Sequence, residues 1–200
     1  MEEDLYKKYL KNIANGKTAI KKEYVDSGYF SYYSKREINN HLNSKKIIID
    51  GLNCFYEDFL YDVFNRLKEQ KPLDYKTIFL GKVGPKLNKL IKKSNYYEVD
   101  TENYNLAISD FDIQHIYNKH YLKKERQRGQ KILQRKDVEM IPNVIANTKE
   151  VTFIGKNKRG LSLYKFVSYN EDGTFNLIEF IGNSKKQLGL KTIYTNLRKH

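Results

Sequence analysis

Apolar positions fall into two rhythms along this chain, a helical one up to about residue 70 and a strand-like one after about residue 150. Leu5, Tyr6, Tyr9, Leu10 and Ile13 recur at helical spacing, and Asn15-Gly16 supplies a stop. Ser34 and Glu37 have capping-box spacing and predict a second helix start. Ile47 to Ile49 reads as a short apolar strand. The clearest helix follows: Leu52, Phe55, Tyr56, Phe59, Leu60, Val63, Phe64 and Leu67 form one apolar stripe. That stripe predicts a helix packed on a core, and Lys71-Pro72 closes it.

From Tyr75 the pattern changes. A strand is predicted over Thr77 to Val83, a helix from Pro85, and a short strand over residues 106–108. Ser109 with Asp112 offers a cap for a helix carrying Phe111, Ile113, His115, Ile116, Tyr117 and His120. Residues 135–147 read as helical with an interruption at Pro142, and strands follow at 150–155, 161–169, 174–182 and 189–195. The expectation is an α+β fold, with helices packed on a C-terminal antiparallel four-stranded sheet and a mainly helical region before it. The organisation read from this is a helical extension or accessory domain over residues 1–74 and a second domain over 75–200.

Asn170-Glu171-Asp172-Gly173 suits a type I turn with a glycine bulge, a three-residue hairpin loop. Counting back along both strands then places Lys165 opposite Glu179, on the face shared by Leu163, Val167, Leu177 and Ile181. Two charges on an otherwise apolar face are either a cross-strand ion pair near the rim or part of a site.

Charge changes the picture further. Residues 1–74 hold 13 Lys and Arg against 12 Asp and Glu, a balance of +1, so the remaining 24 against 12 put +12 in residues 75–200. Clustered cations favour a polyanion by releasing its counterions, and nucleic acid is the partner class this balance points to. A basic surface kept only for solubility is the plainer alternative. No apolar run reaches the roughly 18 residues of a spanning helix, so membrane insertion is not expected. Cys54 is the sole cysteine, which rules out an internal disulfide and a cysteine metal cluster within one chain. A cytoplasmic location suits these features.

The segment His115-Ile116-Tyr117-Asn118-Lys119-His120 carries the candidate chemistry. A helix turns about 100° per residue, so the two imidazoles stand about 140° apart and do not share a face. A zinc-protease pair needs histidines four apart with an intervening glutamate, so no metal site is expected. With the helix ending near Asn118, His120 would lie at its negative dipole end, where imidazolium is favoured. Arg126, Arg128 and Gln130 flank Gly129, and Lys156, Lys158 and Arg159 form a second cationic turn; either can hold phosphate or simply be solvated. Thr192 and Tyr194 lie two residues apart, hence on one side of a strand, with Lys191 immediately before them.

The series FLGKV (79–83), LAIS (106–109), HIYNKH (115–120), RGQ (128–130), DVEMIPNVIAN (137–147) and LKTIY (190–194) resembles the phage and mobile-element nucleases of the barnase, EndoU, colicin and RelE-like superfamily. The resemblance covers about residues 75–200. It implies a metal-independent endoribonuclease needing no cofactor, in which His115, His120, Thr192 and Tyr194 are catalytic. The lysine that EndoU-like members use maps first to Lys165 and in reserve to Lys158. EndoU's histidines do not sit on so closely spaced an element, which leaves their individual roles open. Nucleic-acid contacts are expected from Arg126, Arg128, Gln130, Lys156, Lys158, Arg159 and Lys191. Such a nuclease would be a toxin or mobile-element effector, meeting an antitoxin, an immunity protein or a host protein through residues 1–74. The competing readings are a non-catalytic nucleic-acid-binding module and a phage-encoded inhibitor of a host protein.

Overall fold

The computed structural model describes residues 17, 18, 20–34, 36, 56–94, 100–120, 134–169, 175–183 and 186–196. The helix read around residues 5–13, Glu37 of the expected capping box, the Ile47–Ile49 strand and Leu52 and Phe55 of the helical stripe are not covered by these residues.

In chain order the elements are β1 (Lys17–Thr18), β2 (Ile20–Lys21), α1 (Lys22–Asp26), β3 (Phe30–Ser31), α2 (Tyr56–Lys68), β4 (Thr77–Val83), α3 (Pro85–Ser94), β5 (Asn105–Ser109) and α4 (Asp110–His120). Then come α5 (Arg135–Glu139), α6 (Ile141–Ala146), β6 (Glu150–Lys156), β7 (Ser162–Tyr169), β8 (Phe175–Asn183) and β9 (Gln187–Asn196). β1 and β2 form a minimal separate ladder.

The strands β6 to β9 form the expected antiparallel meander. They are not a sheet by themselves, however: β3, β4 and β5 extend it to seven strands in the order β3-β4-β5-β9-β8-β7-β6, and β5 runs parallel to β9, so the sheet is mixed. Local alternation identifies a strand but not its distant neighbour, which is why the larger sheet was not legible. The segment 135–147 resolves into two short helices, with Pro142 in the first turn of α6, where its missing N–H costs nothing.

One face of the sheet carries the core. The α2 stripe of Tyr56, Phe59, Leu60, Val63 and Phe64 is buried, with Leu67 packed at its margin. It meets Ile78 and Leu80 of β4, Ile113 and Ile116 of α4, and Val138, Val144 and Ile145 of α5 and α6. Tyr164, Phe166, Phe180, Leu190 and Ile193 complete the cluster from the meander. Each such side chain contributes about 1.5–3 kcal/mol by leaving water.

Residues before 75 share this core. Phe30 is buried in it, the Tyr56 hydroxyl donates to the Val138 carbonyl, and the Tyr29 hydroxyl donates to the Thr148 carbonyl at 2.9 Å. Gly84 shows how closely the chain docks there: its N–H bonds the Tyr29 carbonyl at 2.9 Å, and a Cβ on it would lie 2.6 Å from the Gly28 carbonyl oxygen. Any side chain at position 84 would force the 28–30 segment off β4. Among the described residues, no helix is long and apolar enough to cross a membrane.

Candidate active site

Strand alternation divides β7 between two faces. Tyr164 and Phe166 enter the core, so Leu163, Lys165 and Val167 lie on the other face. The register across the meander is Thr152↔Lys165, Lys165↔Glu179 and Glu179↔Thr192. Directly opposed residues of antiparallel strands share a face, with Cβ atoms about 4.5–5.5 Å apart. One polar row therefore crosses four strands on the face turned away from the core. Lys165 is half-buried in it and Thr192 is 9% exposed.

The expected Lys165–Glu179 opposition is thus observed, and Tyr169 pairs with Phe175, the register that a three-residue loop sets. The loop residues themselves are not described. A bulge adjoins the row: Phe180 pairs with Leu190 but Glu179 with Thr192, which leaves Lys191 as the extra residue, exposed beside Thr192. Bulges re-aim the side chains next to them. Tyr194 takes the register position opposite Leu177, two residues beyond Thr192.

The histidine helix α4 begins as the sequence predicted. The Asp112 carboxylate accepts from the Ser109 N–H at 2.8 Å, and the Asp112 N–H donates to the Ser109 hydroxyl at 3.2 Å, a reciprocal cap. Burial raises the Asp112 carboxyl above the ordinary range, opposed by its bonds to Ser109 and reinforced by Asp110. Ile113 and Ile116 enter the core, while His115 is exposed on the outer side. The helix continues past Asn118, where the sequence suggested an end, and His120 is its last residue. His120 is therefore the C-terminal residue of the helix, at the dipole's negative end, and the helix ends two positions later than read.

The remaining candidates are spread out. Arg126, Arg128 and Gln130 are not among the described residues. Lys156, Lys158 and Arg159 are exposed at the β6–β7 turn, where the Asn157 side-chain oxygen accepts from the N–H groups of Arg159 at 2.9 Å and Leu161 at 3.0 Å. Gly160 has φ 74°, the left-handed conformation this turn requires. The fold joins Lys165 and Thr192 in one row and sets Lys158 at the hairpin tip. It sets His115 on the exposed side of α4, a helix packed on the opposite, core-bearing face of the sheet, so it does not bring His115 together with Lys165 and Thr192.

A second polar row escaped the sequence reading: Ser31↔Lys82↔Asn105↔Gln187. It shares the face of Lys165, because Gly189, two residues after Gln187, pairs with Ile181, and Ile181 with Leu163. Lys82 is 5% exposed with its ammonium 5.3 Å from the Tyr33 ring centre, and the Tyr33 hydroxyl donates to the Asn105 side-chain oxygen at 2.9 Å. The signal was available, since Lys82 interrupts the apolar strand Thr77–Val83 much as Lys165 interrupts β7. Among the described residues, no group of three or more His, Cys, Asp or Glu side chains is placed to hold a metal ion.

A family model described as phage-Barnase-EndoU-ColicinE5/D-RelE like nuclease3 matches residues 81–199. No curated protein and no solved structure matches the chain.

Proposed function

The chain belongs to the phage-Barnase-EndoU-ColicinE5/D-RelE like nuclease family and carries a nuclease domain of that type, and from this premise we propose that it cuts RNA by attack of the RNA's own 2'-hydroxyl. The observation that carries the reading is the polar row Lys165–Glu179–Thr192 on a sheet face whose neighbouring positions are apolar. A lysine and a hydroxyl held in one row, two strands apart with Glu179 at the register position between them, are the groups proposed to face a dianionic phosphorane, the species whose charge an active site must stabilise.

In this reading the 2'-oxygen attacks the adjacent phosphorus and the 5'-oxygen leaves, giving a 2',3'-cyclic phosphate. One of His115 and His120 takes the hydroxyl proton and the other protonates the leaving oxygen, a task for which imidazole needs only small pKa shifts. Lys165 and Thr192 are the phosphorane contacts and Tyr194 the base contact that the family resemblance assigns. Because α4 packs on the other face of the sheet, this assignment requires that Lys165→Ala and His115→Ala each abolish cleavage. The nucleophile is part of the substrate, so this route calls for no metal-activated water. Arg126, Arg128, Gln130, Lys156, Lys158, Arg159 and Lys191 supply phosphate contacts. A phage-type nuclease fits the role of toxin or mobile-element effector in the cytoplasm, with an antitoxin, an immunity protein or a host protein as its partner. Residues 1–74 are the proposed extension and 75–200 the proposed catalytic unit.

The test is incubation of the full chain with RNA in excess chelator, followed by end-group analysis. Cyclic phosphate ends are expected, and a 2'-O-methyl group at the cut position should block cleavage. Thr192→Ala should slow the reaction by less than either histidine substitution, since it removes one donor among several. Chelator-sensitive cleavage, or equal cleavage of DNA, would overturn the mechanism. Salt-dependent RNA binding without any cleavage would leave a nucleic-acid-binding module instead.

A further inference from the structure

We propose that Tyr75 and Phe111 form a stacking platform for an RNA base beside His115, a subsite that rests on the ribonuclease reading and specifies how the strand lies there. Tyr75 is 72% exposed and Phe111 42%, with ring centres 4.8 Å apart and planes inclined at 52°. Two aromatic rings packed on each other in water leave most of their apolar area unused.

Tyr75 also has φ 61°, a left-handed backbone that bulky residues rarely adopt, and strain of this kind gathers at ligand clamps. Both of its neighbours are tied down. The Lys76 N–H donates to Asp110 Oδ2 at 3.0 Å and the Asp110 N–H donates to the Lys76 carbonyl at 3.0 Å, with Asp110 itself 1% exposed. On the other side, Asp74 accepts from Arg66 at 2.8 Å and pairs with the Lys76 ammonium at 3.0 Å. These contacts hold the Tyr75 ring outward against Phe111.

The helix supplies the rest. Ile113 and Ile116 fix which side of α4 meets the core, and Phe111, His115 and Lys119 follow one another at four-residue intervals along its exposed side. Residues at that spacing have Cβ atoms about 5–6 Å apart. Aromatic ring, imidazole and ammonium thus succeed one another, matching base, ribose with its phosphodiester, and the next phosphate. Single-stranded nucleic acid is bound by this pairing of stacking rings with cations, and the region's +12 charge balance favours a polyanion over an apolar protein surface.

The chain has no tryptophan, so Phe111→Trp introduces a lone reporter. Titrated with single-stranded 2'-O-methyl RNA, which binds without being cut, its emission should be quenched to saturation, whereas inorganic polyphosphate should bind without quenching. Tyr75→Gly relieves the backbone strain, so its thermal midpoint should not fall, yet its affinity for the same RNA should drop about tenfold. Phe111→Ala should lose a similar factor. Unchanged affinity in both variants, or equal quenching by polyphosphate, overturns the platform. If both variants lose affinity while His115→Ala cuts RNA at full rate, the platform stands and the mechanism falls. If affinity is intact while His115→Ala is inactive, the reverse holds. A wild-type chain without RNA affinity overturns the proposal and leaves a protein surface as the pair's counterpart.

Discussion

Helices α2 and α4 pack into the same core, yet they obey different rules. In α2 the apolar stripe is buried almost without exception, from Tyr56 to Phe64, and its charges lie outside in pairs such as Asp62–Arg66 at 3.1 Å. In α4 the aromatic Phe111 is exposed while the acids on either side of it are withdrawn, Asp110 to 1% exposure and Asp112 into a raised-pKa environment. Asp110 keeps one carboxylate oxygen buried without a hydrogen-bond partner among the described residues. The tether to Lys76 and the cap to Ser109 account for the placement of the two acids, but the unpartnered oxygen costs stability in a way that α2 does not. Departures from local rules of this kind gather where a protein works, and they are what sets α4 apart from α2 in the proposed function.

The sharpest test of that contrast is His115→Ala, expected to slow cleavage by about 10²–10⁴-fold with no shift in the unfolding midpoint, because the residue is exposed. A variant that lost activity only by unfolding would return α4 to the scaffold. For α2 the expectation is the opposite. Phe59→Ala should destabilise the fold by about 3–5 kcal/mol in denaturant titrations, and a cost under about 1 kcal/mol would break the core assignment.

Asp112 gives a test through pH. Its folded pKa is raised, so the folded state binds the proton more tightly than the unfolded chain does. Its contribution is then most favourable in acid and is lost as pH rises through the raised value. Asp112→Asn keeps an oxygen for the Ser109 cap, so the stability of the natural chain relative to the variant should fall with rising pH. A relative gain over that range would mean that the cap outweighs burial. The smallest effect belongs to the network beneath Tyr75: its bond to Lys76, then Arg66, hold Asp74 below the ordinary carboxylate range. Asp74→Asn should cost about 0.2–1 kcal/mol, present above that range, lost as pH falls and screened by salt. A salt-independent loss of several kcal/mol would show that the network is part of the core.

The sequence by itself determined the elements whose signals are local. The α2 stripe, the Ser109–Asp112 cap, the four meander strands and the Lys165–Glu179 register follow from periodicity and turn chemistry over a few residues, and the order of short motifs was enough to indicate the nuclease family. Three features were decided only by the tertiary structure. β5 pairs in parallel with β9 across some 80 residues of chain, and that pairing brings the Lys82 row onto the face of Lys165. Thr192 meets Glu179 only because the bulge at Lys191 resets the register. Tyr75 and Phe111 touch because Asp110 fastens α4 to the start of β4. Each depends on groups far apart in sequence whose association is settled by which apolar faces can be buried together, and no window of neighbouring residues encodes that choice.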